Sequence, residues 1–448
     1  MKSYIESYKE LARLGLPIVA GQAGIIFVGF ADNMMVGHYS TDALASASFV
    51  NNLFNIAILA CIGFTYGITP LVGALFGRGE TEAIGRLMRN ALLLNLVFVI
   101  MITGVMGYIY TVLPHLGQPE HLLPVIRPYY LLYLAGVVPI ALFNVFAQWS
   151  YGIRRTAMPV CIVLSTNVLN VIGNYFLIYG HFGAPELGLT GAGISTLVAR
   201  WLGLVIIMLI FFRARANREY KTGFIHAGAD GQTLRRVFMI SLPIALQLSF
   251  ECGSFSIAAV MAGWIGAIEL AAFQVMVVVG QLGFCFYYSV GTATSVMVAN
   301  DAGRGDIRAM RRDGFAGYHF TLVMCVLACL SFCFFGHRLI GLFTSDPSVM
   351  ATCMSLIVPL LLYQLSDATQ TNFANSLRGT SKVMPMLWIS FFSYVVVGVP
   401  ATYLMGFTFG MGIYGIFLSF SVSLFLAAVL FLFFFLRNTR TSSILINE

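Results

Sequence analysis

Twelve stretches of about twenty residues, each nearly free of charge, run the length of this chain and limit its fold more than any other feature. They cover 13–36, 48–76, 90–113, 128–150, 158–180, 189–212, 238–262, 269–298, 316–336, 351–376, 384–405 and 411–436. As helix, each is long enough to cross about 30 Å of hydrocarbon. Lipid offers no partner for backbone N–H and C=O groups, so runs of this length imply helices that satisfy those groups internally. The expected fold class is therefore an all-α integral membrane protein with twelve transmembrane helices. A chain that is 59% hydrophobic and only 10% charged agrees. The connecting loops are short and leave no room for a soluble catalytic domain. The N-terminal "MKSYIESYKELARLGLP" carries Glu6 and Glu10 and runs into a long apolar stretch without a small-residue cleavage site, so it is expected to be retained.

The basic residues set an orientation. With the N-terminus placed inside and the loops counted alternately, 22 of the 25 Lys and Arg residues fall on one side. Only Arg127 and Arg338 face the other, and Arg200 lies inside the sixth run. Cytoplasmic loops collect Lys and Arg, so both termini are expected in the cytoplasm. The same rule explains the net charge of +7, and no nucleic-acid partner is called for.

The chain also repeats itself. An offset of 226 residues aligns Leu16 and Pro17 with Leu242 and Pro243, Gly37 with Gly263, Gly77-Arg78-Gly79 with Gly303-Arg304-Gly305, and Met158-Pro159 with Met384-Pro385. After Gly180 the register slips by two, so that Gly188 and Gly191 meet Gly412 and Gly415. Each copy holds six runs. An even number makes both copies enter the membrane in the same sense, which predicts two six-helix lobes related by a pseudo-two-fold along the membrane normal. The expected division is an N-terminal lobe at 1–212, a basic cytoplasmic linker at 213–237 and a C-terminal lobe at 238–448.

Of the eighteen acidic residues, Asp32, Glu251 and Asp367 sit within apolar runs. An ionised acid at the bilayer centre costs roughly 2.5–3.5 kcal/mol on insertion scales, so three of them need a reason. One reading is hydrogen-bonded helix packing; the other is direct binding of a cation or proton. The neighbours favour the second. Tyr363, Asp367, Gln370 and Thr371 share one helical face, Phe255 lies one turn beyond Glu251, and Asn167, Asn170 and Asn174 form a polar stripe in the fifth run. Asn144 and Gln148 make a smaller stripe in the fourth, and Gln274 is an isolated amide in the eighth. The acids also break the repeat: Asp32 faces Ala258, Glu251 faces Ile25 and Asp367 faces Ala141. Two different polar pockets are expected, one in each lobe.

From "LGLPIVAGQAGIIFVGFADNMMVGHYSTDALASAS" to the last run, the sequence resembles the multidrug and toxic compound extrusion (MATE) transporters of the bacterial NorM type. The stretches that carry the resemblance are "GFADNMMVG", "LNVIGNYFLIYGHFGAPELGLTGAG", "LSFECGSF", "AAFQVMVVVGQLGF", "YQLSDATQ" and "SLRGTSKVMP". The resemblance implies that Glu251 and Asp367, with Tyr363 and Gln274, bind the coupling cation in the C-terminal lobe. It implies that Asp32, Asn170 and Asn174 form a proton or sodium cluster in the N-terminal lobe. Phe255, Gln370, Asn144 and Gln148, singled out by their own spacing, are the candidate lining of a substrate cavity. Gly173 stands before Asn174 where the motif often has an aliphatic residue. The family implies a monomer in the bacterial inner membrane that exports organic, often cationic and aromatic, compounds in exchange for inward Na⁺ or H⁺. No cofactor, resident metal or enzymatic activity is implied. The donor set of carboxylates, amides and hydroxyls suits Na⁺ and H⁺ alike.

Rival functions fit less well. A flippase for lipid-linked sugars should line its cavity with Lys or Arg, whereas the buried charges here are acidic except Arg200. An intramembrane aspartyl protease would need two aspartates in its own motif contexts, and neither context is present. Cys325, Cys329 and Cys333 share one face of the ninth run without a His or acid beside them, which reads as helix packing. The paired Gly-Arg-Gly sequences lack the strand and helix of a nucleotide loop and read as cytoplasmic turns.

Overall fold

The computed structural model describes residues 3–116 and 119–440, and every regular element among them is helical. Eleven helices are long and apolar enough to cross a membrane, and the pair Pro347–Ser355 and Ile357–Gly379, bent by 50°, supplies a twelfth. They match the twelve expected runs one for one. Most extend past the expected ends, as the first (Tyr4–Tyr39) and the eighth (Ala267–Gly303) do. Helical hydrogen bonding continues into polar turns where hydropathy gives no signal.

Three spans are broken by the same device. In the second, Pro70 lacks the N–H that would bond to the carbonyl of Tyr66, just past the end of Thr41–Thr65. In the fourth, Pro139 lacks the N–H that would bond to the carbonyl of Ala135, and the preceding half-helix, Leu123–Ala135, ends there. In the tenth, Pro359 stands in the same relation to Ser355, the last residue of Pro347–Ser355. Pro400 lies within the eleventh span, Met384–Thr408, where the turns on either side widen to π geometry. The two Gly-Arg-Gly sequences are turns, with Gly79 at φ 78° and Gly305 at φ 71°, a left-handed conformation that glycine adopts without strain.

The chain divides into two compact units: Ala20–Ala245, and the chain up to Val19 joined with everything from Leu246 on. These boundaries differ from the expected 1–212 and 238–448. The division cuts the first and seventh spans, in each case two residues beyond a proline, Pro17 and Pro243, that are partners in the repeat. Hydropathy sees each span as one run, so it carries no trace of the change of unit inside it.

In the first unit, Phe54 is fully buried with its ring 4.7 Å from Tyr130 and 5.0 Å from Tyr133. Trp149 packs edge-on against Phe211 at 4.8 Å and Tyr220 at 5.6 Å. The basic segment 213–237 belongs wholly to this unit. Its helix Arg218–His226 lies against the third span (Thr81–His115), and glycine on both sides permits the approach. A Cβ on Gly85 would run into the carbonyl of Tyr220, and one on Gly223 into the carbonyl of Glu82. Arg155 Nη1 donates to Asn217 Oδ1 at 2.9 Å, and Arg89 Nη1 to the carbonyl of Ile225 at 3.0 Å. Asp230 then caps the seventh span by accepting from the backbone of Gln232 and Thr233.

In the second unit, the N-terminal segment is held by a buried polar group. Ser7 Oγ donates to Asp313 Oδ1 at 2.6 Å, and Arg312 Nε reaches Ser7 Oγ at 3.1 Å and Asp313 Oδ1 at 3.0 Å. Cys325 packs with Tyr287 and Ala368 in a small apolar cluster, with Cys329 alongside.

Candidate functional site

The tenth span carries the second unit's polar face, and its neighbours fix its register. Gln364 Nε2 donates to the carbonyl of Gly280 in the eighth span at 3.0 Å, and Asn372 Nδ2 to that of Gly314 in the ninth at 3.2 Å. Between these two anchors lies Asp367, 2% exposed. Gln370 Nε2 donates to Glu251 Oε1 at 2.9 Å and to Asp367 Oδ1 at 3.4 Å, so one amide ties the two acids together. Thr371 Oγ1 donates to Asp367 Oδ1 at 3.3 Å. Asp367 Oδ2 and Gln370 Oε1 are buried acceptors without a partner. A carboxylate oxygen and an amide oxygen left this way are what a bound cation or proton would satisfy.

An aromatic wall completes this pocket. Tyr363, one turn before Asp367, places its ring 6.1 Å from Phe255, and Phe255 stacks on Phe420 at 4.4 Å. Three further residues belong to the pocket and escaped the sequence reading. Gln247, one turn before Glu251, hydrogen-bonds it, and the charge of Arg378 acts on Glu251. Tyr394 of the eleventh span, 1% exposed, lies within electrostatic range of both acids, and its hydroxyl is buried without a partner. The i, i+4 spacing of Gln247 and Glu251 was a usable signal; nothing in the sequence brings Tyr394 to the acids. Gln274 is exposed on the eighth span, and no hydrogen bond joins it to the acids among the described residues.

The first unit holds a separate cluster. Asn174 Nδ2 donates to Asp32 Oδ1 at 2.6 Å. With its amide turned to satisfy both ends, Asn170 donates to Asp32 Oδ1 at 3.1 Å and accepts from Thr196 N and Oγ1, each at 3.1 Å. Ser195 Oγ donates to the Asn170 carbonyl at 2.8 Å. Gly173 now has a reason: a Cβ there would strike Ser195 Oγ, so the glycine lets the sixth span reach the cluster. Asn144 donates to the carbonyl of Ile140 in its own helix at 2.9 Å, and Gln148 Oε1 accepts from Thr69 at 2.6 Å. Both amides are thus committed to helix structure and neither bonds to Asp32.

Comparison with known proteins now applies. The MatE family model matches residues 17–176 and again 243–404, two blocks whose starts lie one repeat apart. This chain belongs to the MatE family. Among its relatives, the probable multidrug resistance protein NorM of Xanthomonas axonopodis is 29% identical over 86% of this chain and 84% of its own. The multidrug resistance protein MdtK of Yersinia pseudotuberculosis is 27% identical over 96% and 95%. The Vibrio cholerae MATE transporter VcmN in its bent form has the same fold, with a TM-score of 0.86 at 20% identity over 98% of this chain and 99% of that one. The eukaryotic MATE transporter AtDTX14 scores 0.86 at 18% identity over 98% of each chain. This MATE chain is therefore a multi-pass membrane transporter.

Proposed function

We propose that this protein exports small organic compounds, often aromatic and cationic, by exchanging them for Na⁺ or H⁺ moving inward, with both termini in the cytoplasm. The observation that carries the reading is the pairing of Glu251 and Asp367 through the Gln370 amide, beside the Tyr363, Phe255 and Phe420 rings. Two carboxylates against aromatic faces attract lipophilic cations by charge and by cation–π contact. The same two carboxylates attract the coupling ion. One acid pair in a small pocket holds one of these cations at a time, and that competition supplies the differential affinity that antiport requires. The multidrug resistance names of NorM and MdtK agree with it.

In this reading the drug leaves Glu251 and Asp367 as the incoming ion arrives, and the two lobes alternate access around the pockets. Asp32, Asn170 and Asn174 serve as the first-lobe polar cluster. The test is dye efflux from proteoliposomes under an imposed sodium gradient and, separately, under a pH gradient. Wild-type protein should respond to at least one gradient, and Glu251→Ala/Asp367→Ala to neither. Coupled efflux that survives in the double variant would refute the proposal.

A further inference from the structure

Arg200 stands near the middle of the sixth span (Gly188–Arg213), where an arginine is as costly as the acids discussed above. Like them, it breaks the repeat: with the two-residue slip its partner is Leu424. The side chain is half-buried. Its guanidinium carbon lies 4.4 Å from the centroid of the Tyr133 ring, and Nη1 is buried with no hydrogen-bond partner. The side chain crosses the break in the fourth span, where a Cβ on Gly136 would meet Nη1 at 2.6 Å and Cδ at 3.1 Å. That position is the C-terminal end of the half-helix Leu123–Ala135, where the peptide dipoles favour a cation.

The first-lobe cluster leads directly to it. Asp32 is bound by Asn170, Asn170 is bound by Thr196, and Thr196 lies one turn before Arg200 on the same helix face. The charge of Arg200 acts on Asp32, and both charges act on Tyr129. The two lobes thus differ in charge: the second-lobe pocket sets two acids against the one cation of Arg378, and the first-lobe pocket one acid against the one cation of Arg200.

We propose that Arg200 is the built-in counter-cation of Asp32 and a specificity-determining residue, occupying electrostatically the place a free metal cation would take and confining Na⁺ to the acid pair of the second lobe. This rests on the proposed role of Glu251 and Asp367 only for where Na⁺ goes instead. The first-lobe claim can be tested without it. In a background of Glu251→Gln/Asp367→Asn, which removes the second-lobe charges, ²²Na⁺ binding to the purified full chain reports on Asp32 alone. A fixed unit charge within about 10 Å changes cation affinity by about tenfold or more at an effective dielectric near 20. Arg200→Gln should therefore bind Na⁺ at least about tenfold more tightly than its parent. The gain should vanish when Asp32→Asn is added, and Arg200→Lys, which keeps the charge, should behave as the parent does. Thermal melting of each variant confirms folding. The proposal is overturned if folded Arg200→Gln binds Na⁺ no better than its parent, whether both bind or neither does, or if the gain persists without Asp32.

Discussion

The two polar pockets solve one problem, an acid at membrane depth, in opposite ways. In the first unit Asp32 is a single carboxylate whose Oδ1 takes two amide donors, Asn174 and Asn170, with Arg200 in reserve. In the second, two carboxylates share the Gln370 amide, Gln247 adds a bond to Glu251 and Thr371 one to Asp367 Oδ1, and Asp367 Oδ2 is left unsatisfied. Donor-rich surroundings satisfy an acid permanently, whereas donor-poor surroundings leave it dependent on a visitor. The repeat thus supplied two copies of a scaffold on which different side chains give an acid held by amides in one unit and an acid pair with an open acceptor in the other.

Neutralising one acid in each lobe tests that contrast most strongly. Asp367→Asn should lower gradient-driven efflux by about a hundredfold, since a charged contact made directly to the transported ion is worth roughly 1.5–3 kcal/mol and here two acids act together. Asp32→Asn should cost about tenfold or less in the same assay. Equal losses would erase the distinction between the pockets. Asn174→Ala comes next. Removing the 2.6 Å donor leaves Asp32 with Asn170 alone, and a fall in stability of about 1–3 kcal/mol, read as a lower midpoint in thermal melting, is expected.

These residues also show what a single sequence reveals. The apolar runs and the repeat were legible because hydropathy and register are properties of the chain itself. Glu251, Asp367, Tyr363, Gln370 and Thr371 were legible because an acid in an apolar run is costly and helical spacing reveals its neighbours on the same helix. Helical spacing reports nothing across helices, so Tyr394 was missed. Asn144 and Gln148 looked like a ligand stripe, yet one bonds its own helix and the other Thr69. Gln274 was placed by resemblance alone and is exposed. The unit boundaries after Val19 and Ala245 depend on which neighbours each half of a helix packs against, and no periodicity carries that.

A smaller effect sharpens the comparison from the packing side. Gly173→Ala places a methyl group against Ser195 Oγ, which must turn away and give up its 2.8 Å bond to the Asn170 carbonyl. The expected cost is about 1 kcal/mol in stability, with the response of gradient-driven efflux to an imposed ion gradient unchanged. A matching loss of that response would mean that the two pockets are energetically linked.

The smallest effect lies outside both pockets, at the start of the seventh span. Asp230 is fully exposed, and hydrogen bonds from the Thr233 hydroxyl, the Thr233 backbone and the Gln232 backbone hold its carboxyl below the usual value of 3.8. A depressed folded-state value means that the cap's contribution is complete above the ordinary carboxylate range and is lost as pH falls through the lower, folded value. Amide exchange at Gln232 and Thr233 should therefore show protection that holds from neutral pH down to about 4 and weakens below it. Asp230→Asn should flatten that dependence while leaving exchange near Asp32 and Asp367 as it was. Because the group sits in water, salt and solvent screening keep the change local, and a shift that spread down the helix to Glu251 would show that the seventh span transmits strain from its capped end to the exchange site.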